Sequence, residues 1–563
     1  MPTLKASRQG KAKINQARNE KGWGWNIGND DTCFIEASKV LEPEKNWFSG
    51  GPYANGISEG TWRRFLAGTK PISAVAFKAY CQVLELNWEE IVDRASTATE
   101  NSRQDWEAEI DTSIFYGRTT ELAQLEQCIV TERCRLVALL GMGGIGKTSL
   151  GVKLAKQIQP SFEFLSWRSL RSAPPVQETL ADWIDFLSEG RETNCPQTVD
   201  AQVSRLIEYL RANPCLLVLD DVETVLRSGE LAGQYRDGYQ DYGKLIRRVG
   251  QERHQSCLLL ISREKPIEIA AMAGASLPIR DLRIKGLPKE DAKRILEAKG
   301  LFRKDGLDWQ PINPTDRQTQ QNPPLQRGWE ELIQIYRGHP AALKIMATTI
   351  QEIFDGNIFQ FLEESTLVIG DILPNVLSQQ FERLSSLEKG IIYWLAIEQQ
   401  PISIPELRKD GCFFVSSSAQ LIAALESLKR RSLLEEEPNP EGRKALFTIQ
   451  PVLKKYVTNQ LIEQVCQDLV AVIDTQCLDH LGLLRSLCLV KESEQEDFKQ
   501  IQIRLILTRV VERLHMILRV TNSMKERLNE ILLMLQGKPP QTIGYAQSNI
   551  RNLLQFIENN VSS

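Results

Sequence analysis

Short apolar runs and amphipathic stretches alternate along the middle of the chain. From Ile114 to about Leu287 the runs Leu136–Leu140, Phe162–Trp167, Leu216–Leu219, Leu258–Ile261 and Leu282–Ile284 are separated by helical patterns. That alternation predicts a parallel sheet with helices on both faces. Beyond Leu287 the strand signal fades and helices are expected at Lys289–Leu301, Trp329–Tyr336, Ala341–Phe354 and Pro374–Leu384. Arg303–Gly328 carries Pro311, Pro314, Pro323, Pro324 and many glutamines, and reads as a long surface loop. Further on, helices over Glu388–Ala396 and Ser418–Arg430 precede a hairpin, Leu433–Glu437 with Ala445–Ile449, around a turn-rich PNPEGR. Ile503, Leu507, Val510, Leu514 and Ile517 then lie on one helical stripe. Gly537, Pro539 and Pro540 stop that run before a last helix carrying Ile550, Leu553, Leu554 and Ile557.

Composition narrows the class without naming it. Lys+Arg 68 against Asp+Glu 72 leaves a net charge of −4, so any nucleic-acid contact must come from a local patch rather than a basic surface. The longest apolar runs fall far short of the roughly 18 residues of a membrane span, and the polar MPTLKASRQGKAK start is no secretory signal. A cytoplasmic protein without a membrane partner is expected. The 11 Cys are scattered, with no C-x-x-C pair, which predicts thiols in a reducing compartment. The 4 His have no ligand-spaced neighbours, so zinc chemistry is not expected.

Gly141-Met-Gly-Gly-Ile-Gly-Lys147-Thr148 satisfies G-x-x-x-x-G-K-[ST] between an apolar strand and a helical stretch from Thr148 to Gln159. Backbone N–H groups of Gly141, Gly143, Gly144, Ile145 and Gly146 would wrap phosphates, and the helix start through Ser149 would add its dipole. Lys147 would reach the β and γ phosphates, and Thr148 would ligate Mg²⁺. Cys215-Leu-Leu-Val-Leu-Asp220-Asp221 is a strand ending in two carboxylates. Asp220 is the candidate Mg²⁺ ligand and Asp221 the residue that orients attacking water. Leu258-Leu-Leu-Ile-Ser262-Arg263 delivers Arg263 to the same sheet edge as a sensor of the γ phosphate.

The order of Phe115-Tyr-Gly-Arg118, GMGGIGKT, LLVLDD, LLLISR and Gly338-His-Pro-Ala-Ala-Leu343 resembles the NB-ARC ATPases of the STAND class of signalling NTPases, over roughly residues 114–457. The resemblance implies ATP and ADP with Mg²⁺, Gly117 and Arg118 near adenine and ribose, and Pro340 packed on the base. It also implies an M-H-D histidine in a winged helix that reads ADP. Here the matching stretch is Phe447-Thr-Ile-Gln450-Pro451, so Gln450 would meet the phosphate through an amide that carries no charge. The fold expected is multidomain, α and α/β. It comprises a helical domain over 1–95, a linker over 96–112, and a P-loop NTPase domain over 113–287. A helical domain over 288–372 with the loop 303–328, a winged helix over 373–457 and helices over 458–563 complete it. Family members usually continue into WD40, TPR or pentapeptide repeats. This chain stops instead at polar Glu558–Ser563, leaving sensing to its last helices or to another chain.

Ile57–Gly68, Pro71–Tyr80 and Val83–Ile91 are similar to the second half of a phage-repressor-like helix-turn-helix, with first helices near Ile14–Lys21 and Thr32–Leu41. Ser58, Glu59, Thr61, Arg63 and Arg64 would face bases, and Lys5, Arg8, Lys11 and Lys13 phosphates. Long stretches at Gly22–Asp30 and Glu42–Asn55 replace the usual turns, and such a bundle serves either DNA or a protein partner. Trp23, Trp25, Trp47 and Trp62 are expected in its core. Two functions follow. One is a switch that self-associates with ATP, rests with ADP and hydrolyses slowly. The other is a DNA-binding regulator or adaptor for which nucleotide is a structural cofactor.

Overall fold

The computed structural model describes residues 3–23, 31–49, 51–68, 71–92, 104–106, 111–112, 114–192, 196–301, 324–364, 372–398, 400–409, 417–437, 445–491, 496–518 and 521–561. Most of the linker 96–112, residues 303–323 of the loop 303–328, most of the Gly22–Asp30 stretch and Trp25 lie outside them. The chain divides into two compact units, Met1–Asp105 with Leu180–Tyr209, and Trp106–Thr179 with Leu210–Ser563.

In the first unit, helices run over Arg8–Glu20, Thr32–Leu41, Glu59–Ala67, Ala74–Val83 and Trp88–Ile91. The first begins nearly two turns earlier than its apolar pattern suggests, because Ser7 caps it and accepts from the Gly10 N–H at 2.9 Å. Ser58 and Thr61 form a reciprocal capping box on Glu59–Ala67, and Gly68 ends that helix at φ +60. Its apolar face puts Trp62, Phe65 and Leu66 against Phe77 and Tyr80, all fully buried. Trp23 and Trp47 pack on the same core. Of the expected base-facing residues, Thr61 bonds Ser58 and the Tyr80 hydroxyl, and Arg63 pairs with Glu59 at 2.6 Å.

The second unit is built on five parallel strands: β1 (Leu136–Leu140), β2 (Phe164–Ser169), β3 (Cys215–Asp220), β4 (Cys257–Ser262) and β5 (Ile279–Arg283). Their spatial order is β2-β3-β4-β1-β5. β1, β3 and β4 are buried along their whole length, as strands covered on both faces must be, which is why they read as unbroken apolar runs. Leu140 is in register with Ser262 on one side and Arg283 on the other. The loops after β1 and β4 therefore leave the same carboxyl edge, where strand order reverses and ligands bind in open α/β sheets.

Helices follow the sheet at Lys289–Ala298, Pro324–Ile335, Pro340–Ile353, Ile358–Glu364, Ile372–Glu382, Ser386–Glu398, Ile404–Lys409 and Ser418–Arg430. Pro324–Ile335 takes the end of the expected loop into a helix, with Pro324 in its first position, where a missing N–H carries no penalty. The hairpin forms between Leu434–Glu437 and Leu446–Ile449, and Ile402–Ser403 adds a third antiparallel strand. The 25-residue helix Pro451–Thr475 then packs with Thr508–Leu518 and Thr521–Leu535, and Ala546–Val561 packs on those two in turn. Fully buried Asn549 fastens this bundle. Its amide donates to the Leu484 and Leu487 carbonyls at 2.8 and 2.7 Å and accepts from the Leu489 N–H at 2.9 Å.

Ser386–Glu398 has buried residues from Gly390 through Glu398 and polar anchors at both ends. Glu388 accepts from Ser385, Ser427 and Arg431, while Glu398 accepts from Trp394 and Lys491. Among the described residues no helix is long and apolar enough to cross a membrane, and the described cysteines are all thiols.

Candidate phosphate-binding site

Gly141 to Thr148 leaves β1 and enters the helix Lys147–Ile158, whose N-cap Gly146 stands at φ +96, a conformation that side chains with a Cβ rarely adopt. Lys147 is buried, and its ammonium donates to the carbonyls of Gly141 at 3.0 Å and Met142 at 2.9 Å. Burial draws its pKa down to about 8, with Glu223 and the two aspartates opposing. Ile145 is buried, and Ser149 lies in the first turn of the helix.

Thr148 and Asp220 meet where β3 passes the helix start, hydroxyl to carboxylate at 3.4 Å. Asp220 also accepts from the Asp221 N–H at 2.9 Å, yet burial, reinforced by the charge of Asp221, lifts its pKa to about 7. A desolvated carboxylate beside a hydroxyl is a hard-oxygen donor set short of positive charge, and Mg²⁺ fits it. Asp221, at φ +56, accepts from the Ser169 hydroxyl at 3.3 Å.

Arg263 lies at the same edge. Its Nε pairs with Glu223 at 3.0 Å, its backbone N–H donates to the other Glu223 oxygen at 3.0 Å, and Nη1 reaches Gln379 at 3.4 Å. Glu223 further accepts from the Ser262 hydroxyl. Glu223, two residues beyond the LLVLDD strand, is thus the partner that fixes the Arg263 side chain, and no local sequence pattern marks it.

Residues from outside the sheet close on the loop. Arg118 is buried at φ +65, with one guanidinium nitrogen on Glu121 at 2.6 Å and another on the Ile145 carbonyl at 3.1 Å. Gly117 sits against the Asp291 side chain. Pro340 opens the helix Pro340–Ile353, and His339 before it caps that helix by accepting from the Ala342 N–H at 3.3 Å. That role leaves His339 Nε2 as the N–H donor to the Gly143 carbonyl at 3.1 Å. Burial holds the imidazole neutral, with its pKa down to about 4. Ala341 N–H adds a bond to the Gly144 carbonyl at 3.3 Å. From Ile372–Glu382, the Gln380 side chain accepts the Gly143 N–H at 3.1 Å. A single histidine in GHPAAL and a single glutamine more than two hundred residues away carry no local signal for either role.

Gln450 is not among these residues. Its side-chain amide donates to Glu435 on the neighbouring hairpin strand at 2.9 Å, and Glu435 also takes Arg337. A second polar cluster lies just past Arg263. Glu264, 2% exposed, accepts from Arg383 at 2.9 and 3.2 Å and from Arg431 at 2.8 Å. Arg431 in turn reaches Glu388 at 3.0 Å. Among the described residues no group of three or more His, Cys, Asp or Glu is arranged to hold a metal ion.

The NB-ARC domain family matches residues 118–235, from the buried arginine through the phosphate loop and the paired aspartates. The chain carries an NB-ARC domain. An uncharacterized WD repeat-containing protein of Nostoc sp. is 39% identical over 616 residues, covering 100% of this NB-ARC chain and 46% of the relative. The disease resistance protein RPM1 of Arabidopsis thaliana is 28% identical over 118 residues, 20% of this chain and 12% of RPM1. The NB-ARC chain thus spans less than half the length of either curated relative. A solved STAND protein with a tetratricopeptide repeat sensor from Pyrococcus horikoshii is 14% identical, covering 81% of this chain and 60% of that one, with a TM-score of 0.30. The NB-ARC family implies nucleotide binding, usually with Mg²⁺.

Proposed function

We propose that the chain is an adenine-nucleotide switch of the STAND type, with ATP and ADP favouring different packings of the helices that follow the sheet. The observation that carries this reading is the pair of bonds on Gly143. His339 holds its carbonyl and Gln380 holds its N–H, so the phosphate loop is tied directly to two helices outside the sheet. A ligand that alters the loop must alter those contacts.

Within this reading Thr148 and Asp220 hold Mg²⁺, which supplies charge neutralisation on the phosphates. Lys147 exchanges its carbonyl partners for phosphate oxygens, and Arg263 stabilises charge at the terminal phosphate. Asp221 accepts a hydrogen bond from water placed for in-line attack, and hydrolysis is slow. Gly117, Arg118 and Pro340 form the nucleoside side. Residues 373–457 are the winged helix, and 1–95 the helix-turn-helix-like output domain, facing DNA or a protein. With Thr61 and Arg63 engaged within that domain, a protein partner is favoured. Residues 113–287 are the NTPase domain, and ATP-driven self-association follows the family pattern.

Two assays test the reading together: the nucleotide released from denatured, freshly purified protein, and phosphate release by wild type, Lys147→Ala and Asp221→Ala. Bound ADP, with turnover lost in both variants, is the expected result. Turnover equal in all three would refute the hydrolytic switch and leave nucleotide as a structural cofactor.

A further inference from the structure

A P-loop holds phosphates with backbone N–H groups, so an N–H already engaged by a protein acceptor marks a position where phosphate and protein compete. Gly143 is such a position. Its N–H donates to the Gln380 side-chain oxygen at 3.1 Å, and Gln380 is only 5% exposed. Gly143 faces the sensor side of the loop: a methyl group built on it would lie 3.4 Å from the Arg263 guanidinium carbon and 2.7 Å from Val376. The loop continues from Gly144 into the helix Lys147–Ile158, whose N-cap is Gly146.

We infer that Gln380 is the residue that sets the preference for nucleoside diphosphate over triphosphate. The inference rests on the nucleotide-switch reading above. A diphosphate occupies the amides at the helix start and leaves the Gly143–Gln380 bond intact. A terminal phosphate beside Arg263 brings acceptor oxygens to a place already held by an acceptor oxygen, and two acceptors cannot share one N–H at close range. The triphosphate therefore binds only after the glutamine has withdrawn. Withdrawal displaces a helix turn that also carries Gln379, bonded to Arg263, and is followed by Arg383, bonded to buried Glu264. Gln380 thus performs the discrimination that the family resemblance would give to position 450, where the amide is bonded to Glu435.

The test is titration of the full, nucleotide-stripped chain with ADP and with the β,γ-imido analogue of ATP, both with Mg²⁺. Wild type, Gln380→Ala and Gln380→Glu are compared. Wild type should bind ADP more tightly than the analogue. Gln380→Ala should narrow the difference by about tenfold, the equivalent of one hydrogen bond, at nearly constant ADP affinity. Gln380→Glu, similar in shape and still an acceptor, adds a like charge and should widen it. A ratio unchanged within twofold in both variants overturns the role of Gln380 while leaving the switch intact. A wild-type chain that binds neither nucleotide overturns the switch itself, and this inference with it. Retained ADP affinity certifies folding of each variant, and if Gln380→Ala fails to fold, the Gln380→Glu ratio decides.

Discussion

Removing the charge of Glu264 should loosen the helix Ser418–Arg430 more than any change on the surface of that helix. Glu264 is 2% exposed and Arg431 3%, and they meet at 2.8 Å, with Arg383 completing a three-way cluster. At that separation and an effective dielectric constant of about 20, the direct attraction is about 6 kcal/mol, much of it offset by the desolvation of both ions. Substituting one partner leaves the cost of the other's burial, and broken buried pairs lose about 3–5 kcal/mol. Arg431 keeps Glu388, and Arg383 is partly solvated, so Glu264→Gln belongs near about 3 kcal/mol. In a chain of several domains a single unfolding midpoint blurs this loss. Hydrogen exchange along Ser418–Arg430 reads it locally, and about 3 kcal/mol corresponds to exchange roughly a hundredfold faster. In an Arg431→Met background the same substitution should accelerate exchange far less, because the pair is already broken. Protection unchanged within threefold, or equal losses in both backgrounds, would refute the assignment of this cluster as the bond between β4 and the later helices.

Gly143→Ala should push Val376 away, because its methyl would arrive 2.7 Å from Cγ1, at a cost of about 1–3 kcal/mol; faster exchange in Ile372–Glu382 checks this, and unaltered exchange speaks against the close approach. For His339 the folded pKa of about 4 lies below the ordinary 6.5. Its contribution is therefore whole above pH 6.5 and declines as pH falls from 6.5 towards 4, by about 3 kcal/mol in all. Hydrogen exchange along Pro340–Ile353, corrected for its intrinsic pH dependence, should lose more protection between pH 7.5 and pH 5 in wild type than in His339→Gln, and equal losses would contradict it. Asn549→Leu strands two carbonyls and one N–H in the C-terminal bundle, a loss of about 3 kcal/mol or more that faster hydrogen exchange along Ala546–Val561 would register.

The phosphate loop, β3 with its aspartates, and β4 with Arg263 were legible because each is a local pattern, an apolar strand with polar residues at one end. The hairpin and the last helices were legible for the same reason. Ile517 departs from the apolar stripe. It lies in the final turn of Thr508–Leu518 and is 44% exposed, since periodicity alone does not say how far along a helix packing continues. The stripe also hid the π-helical turn Ile503–Leu507, which hydrogen bonds rather than residue types define. His339, Gln380 and Glu264 act through partners distant in sequence, and no spacing rule reaches across such gaps. Motif position alone points Gln450 towards phosphate, whereas the structure gives its amide to Glu435 on the acidic strand beside it.

The helix Ser386–Glu398 deserves to be considered as a mechanical part. Its 13 residues make a rod of about 20 Å, clamped by Glu388 near one end and Glu398 at the other. Buried on most sides, it has little room to bend, and packed side chains compress poorly. A pull on Lys491 from the C-terminal bundle therefore arrives at Arg431 as displacement rather than being absorbed on the way. The bundle holds one end of a lever whose other end rests, through Arg431, on Glu264 in the loop that follows β4.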